Sequence, residues 1–435
     1  MRSSGAPFRV VASDEAGKMW DLRGWTPAVR SGSDLRPARS EDWIEAPPGT
    51  RLQFLEGRQP LGWPKGSLFP EPPTPVQGAL AVAAQLPSGY TRTLLPAYVR
   101  SDGKPYLPFF GYTAVAFREG KPWVAALQSD SNPHWQPRHY DPPDLLARIR
   151  ERRAQLPENR VLEQLETCAT QYGCYNAQNI FLGRWEGAVP VSPACNAECI
   201  GCISWQPEDR PASPQQRFAF VPSLHEIVEV GLAHLQDDES IYSFGQGCEG
   251  EPLLQARLIA ESVRAIRAQN GKGTIHLNTN ASKPDGFARV IEAGLDSVRV
   301  SLNSVLEATY TAYYQPRGYR FGDLEESIRR ARSHGVLVSL NYLHMPGWND
   351  RQQEVEALVD YVNRLDIQMI QLRTLNIDPD MYAQAVPMPG GPALGMVELV
   401  ARLRRECPQL VLGNHTLACR AKRASESKQM GRPGG

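Results

Sequence analysis

The sequence predicts an α/β protein in which a partial, open (βα)6 barrel follows a smaller N-terminal domain of β-rich or mixed structure. After about residue 185, short segments rich in Val, Ile and Leu alternate with amphipathic segments. The amphipathic segments begin near Ser, Asp or Pro, as at Ser223, Pro252 and Asp323, which are residue types that favour helix starts. Six such units in succession imply a parallel sheet with right-handed crossovers. Because a closed barrel of this kind needs eight units, we expect a partial one.

Each of the six units is predicted as a strand followed by a helix. The predicted strands are 187–191, 240–246, 274–279, 296–302, 336–342 and 367–373, and the predicted helices are 223–236, 252–269, 284–293, 323–334, 351–364 and 393–406. Sites in such folds lie at the carboxyl ends of the strands. We therefore expect the functional site at that edge of the sheet.

The first part of the chain has a different pattern. Residues 1–157 contain short strand-like runs between turns, for example 52–55 and 114–117, and Pro and Gly are concentrated there. Such runs indicate a β-rich or mixed domain of unknown role. We predict a linker segment over 158–185, which contains Cys168 and Cys174, then the barrel over 186–415 and a disordered basic tail over 416–435.

Composition narrows the class of protein. Among 435 residues, Lys and Arg number 47 and Asp and Glu number 47, so the formal net charge is zero. A neutral chain lacks the basic field that non-specific binding to nucleic acid or membrane surfaces requires. No stretch approaches the roughly 20 apolar residues of a membrane span, and eight cysteines are too few for a disulfide scaffold. We expect a soluble, cytoplasmic protein.

Three closely spaced cysteines follow the first predicted strand. Cys195, Cys199 and Cys202 form a Cys-x3-Cys-x2-Cys pattern, and the next candidate ligands, His225 and Cys248, are far along the chain. A structural zinc site and an iron–sulfur cube held by protein alone each need four ligands. A cube with three thiolates leaves one iron open for a ligand that is not protein. Spacing alone also allows zinc.

Further motifs appear in a fixed order after these cysteines. Gly250-Glu251-Pro252 follows the second strand, and Thr279-Asn280 ends the third. Together with the cysteine pattern they resemble the radical SAM superfamily, over about residues 185–410. The resemblance implies a [4Fe-4S] cluster on the three cysteines, with Gly250 and Glu251 holding the ammonium group of S-adenosylmethionine (SAM).

The resemblance also implies the chemistry of the site. In this superfamily, reductive cleavage of SAM gives a 5′-deoxyadenosyl radical, which abstracts hydrogen from a substrate. Here the substrate is unidentified, and a ferredoxin- or flavodoxin-type protein is the expected electron donor. The substrate is expected to be a small molecule or a peptide, since the neutral charge argues against RNA.

Polar residues at other strand ends are further candidates. Thr279, Asn280, Ser301, Asn303 and Asn341 could bind the ribose and carboxylate of SAM, or could cap backbone groups instead. The single charge in the sixth strand is Arg373, which we expect to face the site rather than to form a buried salt bridge.

One position departs from the family pattern. An aromatic residue usually precedes the third cysteine and packs on adenine, whereas this chain has Gly201. Packing from Ile203 or Trp205 is one alternative. The tyrosine-rich segment 310–319 could line a substrate pocket, but we expect it to pack against the N-terminal domain.

The remaining cysteines near the site leave alternatives open. Cys168, Cys174 and Cys248 could hold a second iron–sulfur cluster, and Cys248 could donate a hydrogen atom to a substrate radical. They could also be ordinary small buried residues. For the whole protein, the alternatives are a peptide- or RNA-modifying member of the superfamily and a non-catalytic metal-binding scaffold that holds zinc.

Overall fold

The computed structural model describes residues 6–73 and 78–420. Most of the predicted basic tail, residues 421–435, lies outside the described residues. Before it, Arg420 forms an ion pair with Asp296 at 3.2 Å. None of the helices in the two described ranges has the length and apolar character needed to cross a lipid bilayer.

The N-terminal region is built from short antiparallel strands, as the sequence predicts. In its main sheet, neighbouring strands begin, in order, at Met19, Arg9, Leu80, Thr113, Lys121 and Ile44, and a strand that begins at Arg51 also pairs with the one from Leu80. The strands are β1 (Arg9–Ser13), β2 (Met19–Leu22), β3 (Trp25–Ser31), β4 (Asp34–Pro37), β5 (Ile44–Glu45), β6 (Arg51–Leu55), β7 (Arg58–Pro60), β8 (Gly62–Pro64), β9 (Leu80–Gln85), β10 (Tyr90–Arg92), β11 (Leu95–Pro96), β12 (Tyr98–Arg100), β13 (Thr113–Arg118), β14 (Lys121–Val124) and β15 (Ala126–Gln128).

Three helices lie between the N-terminal strands and the barrel: α1 (Leu145–Gln155), α2 (Arg160–Thr170) and α3 (Tyr175–Leu182). The segment 158–185, predicted as a linker, therefore forms two helices. Apolar side chains three or four positions apart explain this, since Leu162, Leu165 and Ile180 are buried in the same core as the barrel strands. Because these helices pack with the barrel strands, they belong to the barrel domain, and the domain boundary lies N-terminal to them.

The barrel has the predicted parallel sheet, with seven strands in sequence order. The strands are β16 (Glu186–Val189), β17 (Ile241–Phe244), β18 (Thr274–Thr279), β19 (Ser297–Leu302), β20 (Leu337–His344), β21 (Met369–Thr374) and β22 (Val411–Gly413). The helices are α4 (Leu224–His234), α5 (Ala256–Gln269), α6 (Pro284–Glu292), α7 (Glu307–Tyr314), α8 (Phe321–Ser333), α9 (Gln352–Arg364), α10 (Pro379–Ala385) and α11 (Met396–Glu406). The partial barrel is confirmed, and β22, α7 and α10 are additions to it.

Buried polar contacts join the N-terminal region to the carboxyl edge of β20 and β21. Arg58 forms an ion pair with Asp378 at 3.2 Å, and both side chains are at most 1% exposed. The fully buried Arg92 donates to the carbonyl oxygens of His344 and Leu375, both at 3.3 Å. The N-terminal region thus covers one side of the edge where the site is expected.

Candidate functional site at the carboxyl edge of the barrel

A cavity of about 630 Å³ lies at the carboxyl ends of the barrel strands. Eleven of the twelve residues predicted for the site line this cavity, and Asn303 does not. The eleven are Cys195, Cys199, Cys202, Cys248, Gly250, Glu251, Thr279, Asn280, Ser301, Asn341 and Arg373. The fold therefore brings together residues that lie up to 178 positions apart in the chain.

The three cysteines occupy a loop after β16 that α7 holds in place. The backbone N–H groups of Glu198 and Ile200 donate to the carbonyl oxygens of Tyr314 and Tyr313, each at 3.0 Å. The N–H of Arg317 donates to the carbonyl of Asn196 at 2.8 Å. Several backbone bonds to one helix end fix the loop against the cavity wall.

Two thiols of this loop, those of Cys195 and Cys199, have raised pKa values. Burial raises the pKa of Cys195 to about 11 and raises that of Cys199 well above its usual value. No three His, Cys, Asp or Glu side chains within 6–73 and 78–420 are arranged to hold a single metal ion. A zinc ion requires thiolates that meet about 2.3 Å from one point, whereas a cube of four irons offers each thiolate an iron of its own.

The turn after β17 is attached to the segment that precedes the cysteines. The N–H groups of Gly250 and Glu251 donate to the carbonyls of Ser192 and Ala194, both at 2.8 Å. A Cβ on Gly250 would lie 1.9 Å from the carbonyl oxygen of Ala194. Only glycine permits this approach, which joins the turn to the cysteine loop.

Glu249 reinforces the same attachment and was not predicted from the sequence. Its carboxylate accepts from the N–H groups of Val191, Ser192 and Gln246 at 2.7, 2.8 and 2.8 Å. Burial raises its pKa to about 8. The one available signal was an acidic residue inside a glycine-rich loop.

Glu251 is oriented by the end of β18. Its carboxylate accepts from the hydroxyl of Thr279, from the N–H of Asn280 at 2.8 Å and from the N–H of Leu253 at 2.9 Å. Burial raises the pKa of Glu251 to about 7. The Asn280 amide donates to the side chain of Asn196 at 2.9 Å, so the same residues also contact the cysteine loop.

A family comparison agrees with this geometry. Residues 189–362 match the model of the radical SAM superfamily. This segment of the chain is therefore a radical SAM superfamily domain. This superfamily implies a [4Fe-4S] cluster and SAM.

Two curated proteins are similar to parts of this chain. The FeMo cofactor biosynthesis protein NifB of Klebsiella pneumoniae is 27% identical over 179 residues, which is 37% of either chain. The GTP 3′,8-cyclase of Mycobacterium ulcerans is 30% identical over 177 residues, 39% of this chain and 45% of the relative. The alignments thus span less than half the length of either relative.

Among solved structures, the [FeFe]-hydrogenase maturase HydG is similar to this chain with a TM-score of 0.37 and 16% identity. The match covers 62% of this chain and 65% of that one.

The residues of the radical SAM domain fit the implied cluster and SAM. Three thiols line the cavity, and the close backbone contact between Gly250 and Ala194 leaves no space for a side chain at position 250. Beside it, the buried carboxylate of Glu251 is a suitable partner for an ammonium group. The donor set therefore suits both groups.

Of the other predicted SAM contacts, Ser301 and Asn341 line the cavity, whereas Asn303 lies outside it. The Asn303 amide donates to the Tyr382 hydroxyl at 3.1 Å and to the Thr309 carbonyl at 3.4 Å. Because β19 ends at Leu302, the alternation that would have placed Asn303 beside Ser301 stops one residue earlier. The structure thus gives Asn303 a capping environment.

Tyr313 explains the glycine before the third cysteine. A Cβ on Gly201 would lie 2.5 Å from the Tyr313 hydroxyl. Tyr313 and Tyr314 line the cavity and α7 packs on the cysteine loop, whereas we expected this segment to pack against the N-terminal domain. Ile203 and Trp205 were the two alternatives for packing on adenine. Ile203 lines the cavity, whereas Trp205, which is 41% exposed, does not.

The three leftover cysteines also line the cavity. A hydrogen bond joins the buried thiols of Cys168 and Cys248. This bond and burial raise the pKa of Cys248 well above its usual value, while accepting the bond lowers the pKa of Cys168. Burial raises the pKa of Cys174 to about 11.

Arg373 faces the cavity and makes no buried salt bridge in the described part of the chain. Its guanidinium donates to the side-chain oxygen of Gln371 at 3.3 Å. Burial and the charge of Arg299 lower its pKa to about 9. Its role in the site stays a prediction.

Proposed function

We propose that this protein is a radical SAM enzyme in which Cys195, Cys199 and Cys202 hold a [4Fe-4S] cluster. When bound and reduced, the cluster supplies the electron that cleaves SAM to a 5′-deoxyadenosyl radical. The observation that carries the proposal is the attachment of two motifs, the cysteine loop and the Gly250-Glu251 turn, by paired backbone hydrogen bonds at one cavity wall. That attachment places a set of thiols beside a carboxylate suited to an ammonium group.

Each wall residue has a specific part in this proposal. The Glu251 carboxylate, oriented by Thr279 and Asn280, would accept hydrogen bonds from the ammonium group of SAM. Gly250 would let the backbone approach that ammonium group. Ser301 and Asn341 offer a hydroxyl and an amide to the ribose or carboxylate. The N-terminal region limits the access of water, which protects a radical from side reactions.

Cys248 is the proposed hydrogen-atom donor. Its S–H bond would break homolytically, the hydrogen atom would pass to a substrate carbon radical, and a thiyl radical would remain on Cys248. The donor must be protonated, and the raised pKa of Cys248 supports this. The alternative use of Cys168, Cys174 and Cys248 is a second cluster, which would raise the iron content per chain.

The expected partners follow from this chemistry. A ferredoxin- or flavodoxin-type protein in a reducing compartment, the cytoplasm, would supply single electrons. The substrate would be a small molecule or a peptide, because the zero net charge gives no general affinity for RNA. A non-catalytic zinc scaffold is the alternative class.

The test is SAM cleavage by protein reconstituted anaerobically with iron and sulfide. With dithionite and SAM, wild-type protein should release 5′-deoxyadenosine, measured by mass spectrometry. Cys195→Ala should lose both the product and the brown cluster. Cys407→Ala is the matched control, because this buried cysteine does not line the cavity. A wild-type protein that gains no cluster would refute the proposal.

A further inference from the structure

Two arginines from different strands meet inside the cavity. Arg299 lies on β19 and Arg373 on β21, and both line the cavity. Their guanidinium groups donate to the same atom, the side-chain oxygen of Gln371, at 2.8 and 3.3 Å. Two positive charges are thereby held next to each other, an arrangement that opposes folding unless an anion offsets it.

No carboxylate in the described ranges forms an ion pair with either arginine. Glu186 on β16 is the acidic side chain whose charge acts on both, and its carboxylate accepts from the Ser243 hydroxyl at 2.7 Å. Asp130 also acts on Arg373 but accepts instead from the N–H of Asn414 at 2.8 Å. Each acid therefore has another hydrogen-bond partner, and neither forms an ion pair with Arg299 or Arg373 within the described ranges.

Unused donors remain at the same place. The Nε of Arg299 and the Nε2 of Gln371 are buried and have no hydrogen-bond partner, and Gln371 is completely buried. Buried donors are almost always satisfied in folded proteins. A ligand oxygen in the cavity that Arg299 lines could accept from this arginine.

The arginine pair lies apart from the cysteines in electrostatic terms. The charges that act on the thiols of Cys195 and Cys199 come from the other cysteines, Glu251 and Arg217. The charge that acts on Arg299 is that of Glu186, and those that act on Arg373 are those of Arg299, Glu186 and Asp130. In the sheet, the cysteine loop follows the edge strand β16, whereas the two arginines lie on β19 and β21.

We propose that Arg299 and Arg373 bind an oxyanion, a carboxylate or phosphate, of the enzyme's substrate. The planar forks of two guanidinium groups match such oxygens in bidentate fashion. The inference rests on the proposed function, since it assigns the chemical class of the substrate for the same cavity. The other source of a carboxylate there is SAM itself, and the experiment separates the two.

The experiment measures binding of inorganic phosphate and of acetate to the reconstituted protein by calorimetry and by thermal unfolding, at constant ionic strength with chloride as the reference. The variants are Arg299→Gln/Arg373→Gln and, as a matched control, Arg289→Gln. Arg289 is exposed on α6 and does not line the cavity.

At least one of the two anions should bind wild type and the control and raise their unfolding temperature, while affinity falls at least tenfold in the double variant. In chloride the double variant should unfold no lower than wild type, because it loses two half-buried charges that form no ion pair within the described ranges. Equal anion effects in all three proteins, or none beyond chloride, would overturn the proposal.

A second arm adds SAM before the anion. Continued binding of phosphate or acetate, and a SAM dissociation constant that the double variant leaves within about twofold, support a substrate site. If SAM blocks both anions and binds at least tenfold more weakly to the double variant, the arginines hold the SAM carboxylate and the proposal fails. Repeating the anion titration on protein without iron separates this result from failure of the proposed radical chemistry.

Discussion

Replacing Gly250 by alanine should separate the cysteine loop from the Gly250-Glu251 turn, the two motifs that meet at one wall of the cavity. The added Cβ would lie 1.9 Å from the Ala194 oxygen and 2.3 Å from its carbonyl carbon. Both are backbone atoms, so no side chain can rotate away, and the cysteine loop would have to move by about 1.5 Å to restore ordinary contact at 3.4 Å. Such overpacking costs about 1–3 kcal/mol.

The same shift would stretch the bonds from Gly250 to Ser192 and from Glu251 to Ala194, both 2.8 Å long. Each is worth about 1 kcal/mol, so with the overpacking we expect a total loss of about 3–5 kcal/mol in the free energy of unfolding. The assay is urea unfolding of the protein without iron, followed by iron analysis after reconstitution, where Gly250→Ala should retain less than half of the wild-type iron.

Gly271→Ala is the matched control, because no atom lies within 4 Å of its added Cβ. Its free energy of unfolding should stay within about 0.5 kcal/mol of wild type. If Gly250→Ala is as stable as Gly271→Ala and fills with iron equally well, the attachment of the two motifs has no role in forming the site.

Three further outcomes are expected. Arg58→Met should lower the free energy of unfolding by about 3–5 kcal/mol because it leaves the buried Asp378 unpaired, and adding Asp378→Asn should recover part of this; a loss under 1 kcal/mol would contradict it. Burial lowers the pKa of His234 to about 4 from 6.5, so its contribution to stability is present above pH 6.5 and is lost as pH falls toward 4. In urea titrations between pH 6.5 and 4, the free energy of unfolding of His234→Gln should fall less steeply with decreasing pH than that of wild type, by up to about 1.4 kcal/mol per pH unit. An equal dependence on pH in the two proteins would refute the assignment. Gly201→Phe should reduce iron content through its clash with Tyr313, and Tyr313→Ala in the same chain should restore it; a double variant as poor as the single one would argue against that clash.

The sequence predicted most of the barrel because its strands and helices have strong periodicity. All six predicted strands and six helices are present, and the bounds of β18 agree to the residue. The three-residue β22 is too short for a periodic signal, and α7 consists largely of tyrosine, alanine and threonine with no clear apolar stripe. Helix α3 was missed because Cys174 and its neighbours were considered as ligands and not as part of a helix.

The prediction of the site was strongest for residues adjacent to motifs. Asn303 was placed wrongly relative to the cavity because one residue decides where β19 ends and alternation stops. Arg299 was missed although it lies two positions before Ser301 on that strand and so shares its face. Tyr313 could not be found from sequence, since its position over Gly201 depends on how α7 packs on the cysteine loop.

The central claim is that Cys195, Cys199 and Cys202 hold a cluster with one iron left for SAM. The most direct measurement is the iron and acid-labile sulfide content of anaerobically reconstituted wild type and of the Cys195→Ala/Cys199→Ala/Cys202→Ala variant. The account predicts about four of each per wild-type chain, the content of one cube, and almost none in the variant. Zinc without sulfide in the wild type, or full iron retained by the variant, would contradict it.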